Sequence, residues 1–133
     1  MGFFDIFRKK KLTTNLSFEQ IPSREHMTIE SNAGVLENPT IGELEVNVKI
    51  MMSDLSEFIT LTPTTAIGGI RYIQACRFDN GINVQLGLEK EAQIHLVEKT
   101  LNEEATLQLF KGFYCGNVDI DINEYTPVSF YKQ

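Results

Sequence analysis

Apolar and polar positions alternate most cleanly in the middle of the chain. Ile82, Val84, Leu86 and Leu88 alternate with Asn83, Gln85, Gly87 and Glu89, the two-residue period of a half-buried strand. The preceding run, Ile70 to Phe78, divides the same way. Ile70, Tyr72, Gln74, Cys76 and Phe78 fall on one side, and Arg71, Ile73, Ala75 and Arg77 on the other. Asp79-Asn80-Gly81 between the two runs predicts a tight hairpin turn, because Asn and Gly tolerate positive φ. A further short turn at Lys90-Glu91 leads to Gln93-Ile94-His95-Leu96-Val97-Glu98, a third strand. Phe58 to Thr62 reads as a strand before them, joined by residues 63–69. Consecutive strands with short links predict an antiparallel meander.

Two segments carry the helical period instead. Ile41, Leu44, Val48 and Met51 recur at spacings of three and four, with Asn38 expected as N-cap, Pro39 at the first helical position and Ser53-Asp54 as the end. Gly42, Val46, Asn47 and Val48 are weak helix formers, so packing must hold this helix. Thr100-Leu101-Asn102-Glu103 reads as a capping box opening a second helix through Ala105, Leu109, Phe110 and Phe113, with Lys111 near its negative end. Gly112 and Gly116 mark its exit. His26 to Glu30 predicts a short strand that Asn32-Ala33-Gly34 breaks. Val118 to Ile122 alternates, and Thr126 to Tyr131 predicts a last strand, at an edge because of Pro127. The expected fold is α+β: an antiparallel β-meander of about four to five strands packed against two helices, in the order (β)αββββαβ, with both helices most simply on one face. Residues 1–25 read as a basic and polar leader and residues 26–133 as a single domain.

Composition adds little until charge is divided along the chain. The 133 residues are 42% hydrophobic and 23% charged, ordinary for a globular domain. Arg8, Lys9, Lys10 and Lys11 supply four of the 12 basic residues. The remainder is strongly acidic, which repels a phosphate backbone and excludes nucleic acid as the expected partner. It attracts basic proteins and speeds their encounter, or simply keeps the chain in solution. The leader places Phe3, Phe4 and Phe7 before its cations, the reverse of a secretory signal. Such a segment can rest on an anionic membrane or dock on its own domain. No apolar run reaches membrane-spanning length. The expected location is cytoplasmic.

Candidate chemistry is sparse. The 2 histidines, His26 and His95, and the 2 cysteines, Cys76 and Cys115, form no local ligand or nucleophile motif. No cofactor, metal or enzymatic activity is expected. Reduced thiols are expected for Cys76 and Cys115, with a bridge between them left open. Asp119, Asp121 and Glu124 lack the calcium-loop pattern and read as an acidic patch facing a basic partner or as a solvated edge. Arg71 and Arg77 are expected on one sheet face, as a binding feature or paired with Glu89 or Glu98. Phe110 and Phe113 are assigned to the core; Tyr114, Tyr125 and Tyr131 are assigned to an interface.

Several pieces resemble small bacterial immunity proteins of polymorphic-toxin and contact-dependent-inhibition systems. These are Glu37-Asn38-Pro39-Thr40 opening a helix, Phe58-Ile59-Thr60-Leu61, Tyr72-Ile73-Gln74-Ala75, Val84-Gln85-Leu86-Gly87-Leu88-Glu89, the helix ending Leu109-Phe110-Lys111-Gly112-Phe113-Tyr114, and Asp119-Ile120-Asp121. The resemblance spans residues 38–125 and departs in the basic leader and the absence of tryptophan. It implies a cytosolic inhibitor that covers a cognate, often basic, toxin domain. At the level of topology alone the chain also resembles small acidic secretion chaperones, which dimerise around an extended segment. A membrane-peripheral module acting through residues 1–11 is the third expectation.

Overall fold

The computed structural model describes residues 26–53, 57–117 and 119–128. Its strands are β1 (Met27–Ser31), β2 (Gly34–Glu37), β3 (Phe58–Pro63), β4 (Ile70–Phe78), β5 (Gly81–Lys90), β6 (Gln93–Leu101) and β7 (Thr126–Pro127). Its helices are α1 (Ile41–Ser53) and α2 (Glu103–Tyr114). All strand pairs are antiparallel, in the order β2-β1-β3-β4-β5-β6-β7. The α+β meander with two helices is therefore observed, with seven strands among the described residues rather than four or five. The extra members have a local cause. Asn32-Ala33-Gly34 does not end a strand but turns the chain back, pairing Ser31 with Gly34, whose φ of 126° suits glycine. β2 is only four residues long and exposed throughout, so no period marks it.

Both helices cover the same face. Ile41, Leu44, Val48, Met51 and Met52 of α1 and Phe110, Phe113 and Tyr114 of α2 meet Ile29, Ile59, Leu61, Ile73, Ala75, Ile82, Val84 and Leu86 of the sheet. Burial of these side chains supplies the main driving force, at about 25 cal/mol per Å² of apolar surface. Thr106 is buried among them, with its hydroxyl donating to the Asn102 carbonyl at 2.8 Å. Glu45 links the helices: it lies 3.0 Å from Lys49 and 3.6 Å from Lys111 of α2. Burial pushes its carboxyl up, but the Lys49 hydrogen bond and the Lys111 charge outweigh this and hold it below its ordinary value.

The helix starts differ from the sequence reading. Asn38 has φ 54° and donates its N–H to Met27 O at 2.8 Å, closing the β1–β2 hairpin instead of capping α1. The cap is a box two residues on: the Thr40 N–H donates to Glu43 Oε1 at 2.9 Å, and the Glu43 N–H to Thr40 Oγ1 at 3.1 Å. The expected box at Thr100–Glu103 is absent because Thr100 stays in β6 opposite Asn83, and Asn102 caps α2 by accepting from Ala105 N at 2.8 Å. At the other end of the domain, the alternation of Val118–Ile122 does not produce a strand over the described residues 119–122. Asp121 caps a 3-10 turn at Ile122–Glu124, and Ile120, Ile122 and Tyr125 all pack toward the core. The last strand shrinks to β7, and Tyr131 lies outside the described residues.

One turn is strained. Glu91 and Ala92 join β5 to β6 with φ of 54° and 65°, a region that costs a non-glycine residue about 1–2 kcal/mol. Replacing the pair by Asn-Gly should stabilise the domain by about 1 kcal/mol, raising the midpoint of thermal unfolding by several degrees. A lowered midpoint in circular dichroism would contradict the strain.

Candidate functional site: the uncovered sheet face

The side chains of β4 that face away from the helices are set by a bulge. Ile70 pairs with Leu88, yet Tyr72 pairs with Gly87, so two β4 residues oppose one β5 residue. Upstream of the bulge Ile70 is buried; downstream Ile73 and Ala75 are. Tyr72, Gln74, Cys76 and Phe78 consequently share the other face. Arg71 and Arg77 part company. Arg71 meets Glu89 at 3.4 Å beside that open face. Arg77 turns to the helices, where its Nη1 donates to Met52 O at 2.7 Å and to Glu103 Oε2 at 2.9 Å. The expected shared face is corrected by the one-residue shift, which reverses every side chain beyond it.

Three cross-strand rows build the open face. Tyr72, Gly87 and Leu96 align in the first. Gly87 is required there: a Cβ would lie 2.6 Å from Tyr72 Cε2, so the ring rests directly on the β5 backbone. Val35, Glu30, Thr60, Gln74, Gln85 and Glu98 form the second, a register that crosses six strands. Its polar heads partly satisfy one another: Thr60 Oγ1 donates to Gln74 Oε1 at 2.9 Å, and Asn83 Nδ2 to Glu98 Oε1 at 3.2 Å. Phe58, Cys76 and Asn83 form the third. Around them Val35, Phe78 and Ile94 stand 63%, 48% and 44% exposed. Burial pushes both the Tyr72 phenol and the Cys76 thiol up, so each is held neutral over the physiological range. The face is broad, uncharged across its middle and bordered by carboxylates. Nothing among the described residues lies over it.

Its electrostatic setting follows from how cations are used. Lys49, Arg71, Arg77, Lys99 and Lys111 each lie against a glutamate. Among the described residues Lys90 alone of the cations makes no ion pair, whereas Glu30, Glu37, Glu98, Asp119 and Asp121 face no cation within salt-bridge distance. The negative field is thus weakly compensated at the surface.

The residues assigned to an interface by sequence scatter. Tyr114 is buried and its hydroxyl donates to Pro39 O at 2.7 Å, which binds α2 to the start of α1; it is a core residue, not an interface one. Asp119 and Asp121 are exposed, and Asp121 lies near enough to Lys99 of β6 for its charge to act on it. Glu124 accepts from Lys99, whose ammonium lies 5.8 Å from the Tyr125 ring centroid. The Glu124 hydrogen bond pushes Lys99 up, and burial pushes Tyr125 up. Asp121, Glu124 and Tyr125 therefore gather with Lys99, while Arg71, Arg77 and Tyr114 lie elsewhere. Sequence reasoning missed Tyr72, Gln74, Gln85, Leu96 and Phe78 as a surface. The alternation at Ile70–Phe78 was visible, but which side faced the helices was not.

Cys76 belongs to the open face and Cys115 to the C-cap of α2 beneath the other, and no disulfide joins them. His26 is exposed just before β1, and His95 is exposed on β6. Among the described residues no group of Asp, Glu, His and Cys side chains gathers as metal ligands. No described helix is long and apolar enough to cross a membrane.

No protein-family model, curated protein or solved structure matches this chain.

Proposed function

We propose that the chain is a non-enzymatic protein-binding domain, and that it works as an immunity-type inhibitor whose open sheet face covers a basic partner such as a toxin domain. One observation carries the reading: a six-strand surface with no cover among the described residues, neutral at its centre, sits in a field whose carboxylates mostly lack cations. Self-satisfied polar pairs keep the desolvation cost of such a face low, and its aromatic and aliphatic groups supply the apolar contact that slows dissociation. Carboxylates at the border and on the C-terminal segment act at longer range and raise the encounter rate.

The partner to test is the purified product of the adjacent reading frame, measured by surface plasmon resonance. Tyr72→Ser with Leu96→Ser should speed dissociation at least about tenfold and leave association within about twofold, the usual division between contact and steering groups. Asp119→Asn with Asp121→Asn, or a rise in salt, should slow association and leave dissociation nearly unchanged. An adjacent frame that encodes no basic toxin-like protein, or unchanged kinetics in the Tyr72 and Leu96 variant, would sink the proposal. A stable dimer that binds an unfolded segment would favour the secretion-chaperone reading instead.

A further inference from the structure

We propose that residues 3–11 of the chain dock on its own open sheet face and act as an internal competitor for the basic partner. The effect on binding rests on the function proposed above; occupancy of the face does not.

The chemistry of the segment complements that of the face. Phe3, Phe4, Ile6 and Phe7 precede Arg8, Lys9, Lys10 and Lys11. The face offers Phe58, Tyr72, Phe78 and Leu96 as apolar partners, with Glu30 and Glu98 at opposite ends of the polar row. Those two carboxylates face no cation among the described residues. Pairing a cationic run with such carboxylates while phenylalanine rings cover the rows removes apolar surface from water on both sides.

Reach permits the contact. Residues 12–25 separate the cationic run from His26. Fourteen residues span up to about 46 Å when extended, at about 3.3 Å each. The sheet is roughly 30 Å across its strands, at about 4.8 Å per strand. The whole face lies within range of a tether that starts at β1. The alternative surface is poorer. The outward side of α1 exposes Val46 and Ile50, but the neighbouring Glu45 is already held by Lys49 and Lys111. An aliphatic pair beside a neutralised carboxylate offers neither the aromatic contact nor the charge that the segment calls for.

Cys76, in the middle of the open face, reports occupancy without any partner. The experiment measures alkylation of Cys76 by iodoacetamide, a neutral reagent, at pH 8.5, with mass spectrometry to separate it from Cys115. It compares the unaltered full chain with a full-length Phe3→Ser, Phe4→Ser, Phe7→Ser variant and with an Arg8→Glu, Lys9→Glu, Lys10→Glu, Lys11→Glu variant. Docking predicts that both variants react at Cys76 at least about fivefold faster, at rates independent of protein concentration, while Cys115 is unaffected. Added salt should quicken the unaltered chain more than the charge-reversed one. Equal rates at Cys76 in all three chains would overturn the proposal, as would protection that disappears on dilution, which would assign the face to a second copy. A synthetic peptide of residues 1–11 provides a second measurement: it should slow alkylation of the Phe→Ser variant in trans, and no protection at millimolar peptide would count against docking. The two proposals fail separately. Faster alkylation with no binding of a basic partner leaves the internal contact standing and removes the inhibitor reading; tight binding with unchanged alkylation does the reverse.

Discussion

Phe110→Ala is expected to lower the thermal midpoint of the domain by at least about 12 °C, and to leave it largely unfolded if its stability is at the low end of the usual range. Phe110 is completely buried on α2, which packs against α1 and over β5. Removing a buried ring loses the transfer free energy of its atoms and leaves a cavity that surrounding side chains fill only in part, about 3–5 kcal/mol together. A domain of this size holds roughly 5–15 kcal/mol in all. Each kcal/mol shifts the midpoint by about 4–8 °C. Thermal and urea unfolding followed by circular dichroism would measure the change. Val46→Ala is the comparison: Val46 is exposed on the outer side of α1, and its truncation should stay within about 0.5 kcal/mol. A Phe110 variant as stable as the Val46 variant would mean that α2 does not cover the sheet as described.

Arg77→Met should cost about 2 kcal/mol of stability, roughly 8–16 °C, and leave partner binding unaltered below the new midpoint. Arg77 was a candidate for the interface on sequence grounds. In the fold its guanidinium stands where the end of α1 meets the start of α2. It donates to Met52 O, one of the last carbonyls of α1, and to Glu103 in the first turn of α2. A cation there favours the negative end of one helix, and the glutamate favours the positive end of the other. Methionine keeps most of the stem's packing but leaves the Met52 carbonyl without its donor. The buried Arg77 Nε has no partner among the described residues, and its loss offsets a little of this cost. Glu103→Gln should account for only a small part, because Glu103 is largely exposed. A double-mutant cycle between the two would separate the helix-end bond from the ion pair. Stability unchanged in Arg77→Met would rule out the clasp, and a binding defect in a stable Arg77→Met chain would restore the sequence assignment.

Much of the architecture was legible in residues 58–113. β5 alternates without interruption, Asp79-Asn80 turns the chain where expected, and the apolar stripe of α1 buries Ile41, Leu44, Val48 and Met51. The ends of elements were less legible. Thr40 and Glu43 carry the box signature as plainly as Thr100 and Glu103, and only the competing claim of β6 on Thr100 decides between them. The candidate site was the least legible part. Tyr114 and Tyr125 look alike in sequence, yet one hydroxyl is buried against Pro39 O and the other ring borders Lys99 at the surface.

The sequence by itself determined the two helices among the described residues, the central meander and the excess of negative charge. Each of these depends on neighbours a few residues apart, through side-chain period, turn preference and composition. Only the tertiary structure decided which side of β4 faces out, that Ile70 and Ile73 are both buried, and that Arg77 serves the helices while Tyr72 lies over Gly87. The bulge that decides this is a two-against-one pairing between strands. Its free energy comes from packing β4 against β5 and both helices at once, and no local window of residues contains those partners.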